Sequence, residues 1–209
     1  GMVVKNDIAK ITDLKGKTVA ASAPGTAPYF TLAWMLKKNG MTTKDVKIVN
    51  LEPQAAANAM IAGNAGIDAA LTYEPYLSAV RAKPEAGKII ATTLDYPMIM
   101  DTFGCVPKFL ADNPKAAKAI ADSYFEAIEM ISKEPKRSFE IMGADVKQSG
   151  EAFEASQKYL RWQDRAANLK FFSGEHAQFS KEAADLLLEV GIIKQLPDMS
   201  KLADTRFIK

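Results

Sequence analysis

Apolar positions in the first half of the chain fall into short runs, separated by stretches with helical spacing. Thr18-Val19-Ala20-Ala21 follows the turn-like Asp13-Leu14-Lys15-Gly16-Lys17 and reads as a strand. Further strands are predicted at Lys47–Leu51, Ile67–Thr72 and Lys88–Thr92. Phe30, Ala33 and Trp34 recur at i, i+3, i+4, the spacing of a helix with one buried face. That helix starts near Pro28, where a missing N–H leaves no bond unmade. It stops at Gly40, which accepts the left-handed conformation past a helix end. Two more helices are predicted, one over Gln54–Ala62 closed by Gly63 and one from Glu74 to about Ala82. Strands joined through helices need crossover connections, so the sheet is expected to be mainly parallel. Residues 14–94 are expected to close as one α/β lobe.

The pattern changes after Tyr96-Pro97. Met98–Val106 reads as one more strand. Asn113-Pro114 is a helix start, a capping residue followed by proline in the first turn. Ala117, Ile120, Ala121, Tyr124, Ile128 and Ile131 then form a long apolar stripe, which Pro135 interrupts. Helices are also expected at Ser138–Met142, Gly150–Trp162 and Glu175–Val190, the last stopped by Gly191. The second half, about 107–195, is therefore expected to be nearly all helix.

Composition narrows the function classes. The 27 basic and 25 acidic residues are interspersed and leave a net charge of +2. That lacks the dense basic face of a nucleic-acid binder. One cysteine, Cys105, and one histidine, His176, are too few for a Cys/His zinc site and exclude an intramolecular disulfide. No cofactor is expected. No run of about 18 apolar residues occurs, so no membrane span is expected, and no signal-peptide pattern is seen. The patterns of serine hydrolases, P-loops and zinc proteases are absent, so an enzyme is not expected. Cys105, Trp34 and Trp162 read as buried, His176 as a surface histidine and Asp164-Arg165 as a solvated pair.

Three strand-to-helix junctions carry candidate chemistry. In open α/β sheets ligands bind beyond the carboxyl ends of the strands. The loop Ser22–Ala27 lies there, at a helix start with unpaired N–H groups and partial positive charge. Ser22 and Thr26 add hydroxyls, and Gly25 permits close backbone approach. A plain capped turn is the alternative for this loop. Gln54, after the second strand, is a donor to an anion or simply a helix-initiating residue. Thr72-Tyr73-Glu74-Pro75-Tyr76 offers a hydroxyl, two aromatics and a carboxylate to a small polar ligand. Its alternative is a Glu74 that caps the next helix.

Four passages together resemble the solute-binding proteins of the sulfonate, taurine, nitrate and thiamine-precursor ABC importers. Ile11 to Ala20 is similar to the family's "DLKGKkV" passage, and Ser22–Tyr29 occupies the place of its ligand-binding helix start. Ala59–Gly63 with Ile67–Tyr76 is similar to "Al.aG.vDA...wEPy", and Leu202–Phe207 to the closing "l.D.rF". Tyr73 stands where the family often has tryptophan.

The resemblance implies a periplasmic-binding-protein type II-like α/β fold of two lobes, with one parallel-sheet lobe at 14–94, while segments 1–13 and 95–209 would supply hinge segments and the helix-rich C-terminal part of the other. It implies capture of a small polar or anionic organic solute, of the sulfonate or taurine kind, in a cleft between the lobes. Ser22, Gly25, Thr26 and Ala27 would hold the head group, with Gln54, Thr72, Glu74 and Tyr76 facing it. The partners would be that solute and a membrane permease, with no nucleic acid. The location would be periplasmic or anchored at the cell surface. The N-terminal part of such proteins is expected to be missing here, which would leave an apolar stripe able to drive dimerisation. A thiamine-precursor pyrimidine binding or synthesis protein and the effector-sensing domain of a transcription regulator are the alternatives.

Overall fold

The computed structural model describes residues 1–209. The chain divides into two compact units, Gly1–Met100 with Glu182–Leu196, and Asp101–Lys181 with Pro197–Lys209.

The first unit is built on five strands: β1 (Met2–Val4), β2 (Thr18–Ala21), β3 (Lys47–Asn50), β4 (Ala69–Leu71) and β5 (Lys88–Ala91), in the order β3-β2-β4-β1-β5. β2 runs parallel to β3 and β4. β1 is antiparallel to both of its neighbours, β4 and β5. The sheet is thus mixed rather than mainly parallel, and segment 1–13, expected outside the lobe, supplies one of its inner strands.

Side-chain alternation along the strands divides the core into two layers. Met2, Val4, Val19, Ala21, Ala69 and Leu71 face Leu32, Met35 and Leu36 of α1 (Ala27–Lys38). Val3, Ala20 and Ala70 face Ala56, Ala57 and Met60 of α2 (Pro53–Ile61), together with Leu77 and Val80 of α3 (Tyr76–Arg81). Small Ala20, Ala21, Ala69 and Ala70 let the helices approach the sheet closely. Asp68 ties the amino ends of β2 and β4 to the carboxyl end of β1. Its carboxylate accepts from the Thr18 amide at 2.9 Å and from Lys5 Nζ at 3.1 Å. These two donors, the amide first, hold its carboxyl below the usual carboxylate range.

The second unit is helical: α4 (Pro107–Asp112), α5 (Pro114–Lys133), α6 (Pro135–Asp145), α7 (Gly150–Ser156), α8 (Arg165–Lys170) and the first part of α9 (His176–Glu189). Pro135 begins α6, so the predicted interruption of the long helix is observed. α6 and α7 pack tightly because Gly143 has no side chain; a Cβ there would lie 2.8 Å from the Ser149 carbonyl. Phe139 and Phe153 meet across that contact with ring centres 6.4 Å apart.

Several expectations are corrected. Met98–Val106 forms no strand; it contains Gly104 and is flanked by Pro97 and Pro107, and no strand partner lies beside it. Cys105 is exposed there. Trp162, expected in the core, is 38% exposed in the irregular stretch after α7, which ends earlier than predicted. Ile120 is 40% exposed because it lies at the margin of the α5 stripe, while Ala117 and Phe125 are the buried positions. Asp164-Arg165 is no loose solvated pair. Asp164 caps α8 through the Ala167 amide, and Arg165 bonds Asp122 and the Ile208 carbonyl while lying 4.2 Å over the Phe125 ring. His176 is half-buried against Phe171 and Phe172, with Nε2 3.2 Å from Ser180 Oγ. No helix is long and apolar enough to cross a membrane.

Candidate functional site

The chain leaves β2 through α1 to reach β3 on one side, then crosses through α2 to β4 on the other. β2 is therefore the point where the winding reverses, and the crevice beyond its carboxyl end is where such sheets bind ligands. The three junctions singled out above all lie on this edge. The Leu51 amide bonds the Ala21 carbonyl at 3.1 Å, which extends the β2–β3 ladder to it. The register Ala20↔Ala70 sets Ser22 and Thr72 side by side at the ends of β2 and β4.

Two helices also begin here, on opposite faces of the sheet. Thr26 is the N-cap of α1, followed by Ala27 and Pro28. Glu52 is the N-cap of α2, followed by Pro53 and Gln54. The amides of the first turn of each helix have no preceding turn to accept them. Both helix dipoles thus present their positive ends to the same edge. Gly25 turns the chain into α1 with φ of +94°, a conformation that side chains disfavour. Ala27 and Gln54 are exposed.

The three hydroxyls of the edge differ in what they are bonded to. Thr26 Oγ1 donates to the Ala23 carbonyl at 2.8 Å, so its one proton braces the loop. It does not cap α1. Thr72 Oγ1 donates to the Pro53 carbonyl at 2.8 Å and links β4 to the start of α2. Ser22 Oγ has no hydrogen-bond partner, although the residue is only 2% exposed. A buried hydroxyl without a partner is unfavourable by about 1–3 kcal/mol, so such groups call for an explanation.

Beyond Thr72, the side chains form a wall. Glu74 accepts from the Ser78 amide at 2.9 Å and from Arg81 Nη1 at 3.1 Å, the bonds of a carboxylate capping α3. Tyr73 is 51% exposed, and its ring centre lies 6.0 Å from that of the half-buried Tyr76. The whole edge, over the segments 22–27, 51–54 and 72–76, contains no lysine, arginine, histidine or cysteine. Its polar equipment is amides, hydroxyls, helix dipoles and the carboxylates of Glu52 and Glu74. The commitments of Thr26 and Thr72 were hidden from sequence reading because their acceptors are main-chain carbonyls set by the fold. No group of three or more His, Cys, Asp or Glu residues is placed to hold a metal ion.

Comparison with known proteins gives a consistent picture. The model of a family described as NMT1-like matches residues 2–142. The taurine-binding periplasmic protein of Escherichia coli is 33% identical over 130 residues, which cover 60% of this chain and 39% of that protein. The periplasmic aliphatic sulphonate binding protein SsuA from Escherichia coli superposes with a TM-score of 0.73 at 18% identity, over 95% of this chain and 63% of that one. The desulfurization enzyme DSZB has the same fold, with a TM-score of 0.63 at 14% identity, over 100% of this chain and 74% of that one. The chain spans less than half the length of the curated relatives it matches. The fold is the periplasmic-binding-protein type II-like α/β fold expected from the sequence. With more than half of its 209 residues matched, the chain belongs to the NMT1-like family.

Proposed function

We propose that this chain is the ligand-capturing part of a solute-binding protein that serves an ABC importer. It takes a small organic oxyanion, of the class of alkanesulfonates and taurine, at the carboxyl edge of its sheet. Ser22 donates its hydroxyl to the head group. Gly25, Thr26 and Ala27 present the first amides of α1, and Gln54 presents those of α2 together with its side-chain amide. Thr72, Glu74 and Tyr76 build the wall beside them. The solute is handed to a membrane permease, and the protein works in the periplasm or anchored at the cell surface. Family membership and the names of the relatives support the transport setting.

The observation that carries this reading is the buried Ser22 hydroxyl, unbonded between two helix starts. An oxyanion oxygen seated there would supply its missing partner, and helix N-termini favour such a group. Binding without chemistry also fits an edge that has neither histidine nor cysteine.

A thermal-shift series tests it, with taurine, alkanesulfonates, nitrate, bicarbonate and thiamine-precursor pyrimidines as probes. A ligand at 100 times its dissociation constant adds about 2.7 kcal/mol of stability. The expected result is a raised melting point with sulfonates that disappears in Ser22→Ala. A shift with pyrimidines alone, or sulfonate binding that is indifferent to Ser22→Ala, would overturn it.

A further inference from the structure

Two carboxylates stand at an edge that we read as an anion site: Glu52, the exposed N-cap residue of α2, and the more shielded Glu74. Glu74 lies two residues beyond Thr72, where the chain leaves β4. Free, it would repel a sulfonate and attract the ammonium of an amino-sulfonate. Its surroundings do not leave it free. Oε2 accepts from the Ser78 amide at 2.9 Å and Oε1 from Arg81 Nη1 at 3.1 Å. The same Arg81 nitrogen also donates to Ser78 Oγ at 2.9 Å. The pair is mostly shielded, with 19% of the Glu74 side chain exposed and 33% of the Arg81 side chain. The Gly1 nitrogen nearby donates to the Thr72 carbonyl at 2.7 Å and extends the β1–β4 ladder.

We propose that Arg81 is a specificity-determining residue of this site: it masks the charge of Glu74, so that the edge accepts a simple alkanesulfonate and gives no preference to its amino-bearing analogue. The inference rests on the oxyanion reading above and narrows its ligand class. Arg81 touches no ligand. It acts by holding both oxygens of Glu74, with the Ser78 amide, turned into the start of α3. An opposite charge at hydrogen-bond distance cancels most of the field that a lone carboxylate would exert on a ligand a few ångströms away.

Ethanesulfonate and taurine differ only by an amino group and form a matched pair of probes. Their dissociation constants are to be measured by calorimetry on the wild-type chain and on Arg81→Gln, Arg81→Lys, Glu74→Gln and the Glu74→Gln/Arg81→Gln double variant. The wild type is expected to bind ethanesulfonate at least as tightly as taurine. Arg81→Gln unmasks Glu74 and should weaken ethanesulfonate about tenfold and taurine much less. The double variant should return ethanesulfonate to within about twofold of wild type, and Arg81→Lys, which keeps the charge, should keep the wild-type ratio. Equal weakening of both ligands by Arg81→Gln would make Arg81 merely structural and overturn the proposal. A wild-type preference for taurine that Glu74→Gln abolishes would overturn it too. Failure of the wild type to bind either sulfonate would remove the oxyanion reading and this inference together, whereas binding with a ratio unmoved by Arg81→Gln would remove this inference alone.

Discussion

At the carboxyl edge of the sheet, three hydroxyls that look interchangeable in sequence have three different duties. Ser22 is buried and unbonded, so Ser22→Ala removes an unsatisfied group without orphaning a partner. Its melting point should be unchanged or slightly raised, while oxyanion affinity falls about tenfold. Thr72→Val is the mirror case. It leaves the Pro53 carbonyl without its donor, which should cost about 1–2 kcal/mol in denaturant unfolding. If Ser22→Ala proves strongly destabilising, its hydroxyl has a structural bond and loses its claim on the ligand. Gly25 has a backbone duty. At φ of +94° an alanine is strained, although its Cβ would meet only Ile192 Cγ2 at 3.9 Å. Gly25→Ala is therefore expected to cost about 1–2 kcal/mol through the backbone alone, readable as a lowered melting point with wild-type packing.

At the scale of elements, the sheet is held by Asp68, at the amino ends of β2 and β4 and the carboxyl end of β1, and at its faces by the helices. The Asp68 carboxyl is depressed by the Thr18 amide and Lys5. A depressed folded-state carboxyl adds stability above the unfolded carboxylate range and loses it as pH falls through the lower folded value. Urea titrations from neutral to acid pH should therefore show Asp68→Asn with a shallower acid loss than wild type, and an equal slope would exclude this group as a contributor. Leu32 of α1 is fully buried, and Leu32→Ala should cost about 2–5 kcal/mol. Most of these elements were legible in the chain. β2 was found within its observed bounds because a lysine-glycine turn precedes it and a proline-glycine loop follows. α1 carried periodicity and a terminal glycine, and α2 an alanine-rich run closed by Gly63. α4 and α8, six residues each, are too short for periodicity to reveal. Met98–Val106 had the apolar content of a strand, but strand formation needs a neighbour that local sequence does not report. The candidate edge was legible as three junctions; which protons on it are committed was not, because Thr72 finds its acceptor 19 residues away.

For the whole molecule, charge is nearly balanced at +2, and the candidate edge has no unmasked cation. Recognition there would rest on amides, a hydroxyl and helix dipoles at contact range. Such contacts lie well inside the Debye length of about 10 Å at 0.1 M salt. Affinity for a sulfonate should accordingly change less than about twofold between 10 and 150 mM salt, a comparison made by repeating one titration; a steep fall would point to lysines or arginines outside the edge. The order β3-β2-β4-β1-β5 has one more consequence. β5 pairs only with β1, and β1 pairs with β4 across nearly seventy residues and with β5 across nearly ninety. Met2–Val4 is made before both of its neighbours, so it has no strand to bond to until β4 has been made, and its second edge stays open until β5 follows. Long-range pairings of this kind close late and slowly. Until then these three apolar residues lack their partners, the kind of transiently exposed surface that chaperones exist to cover.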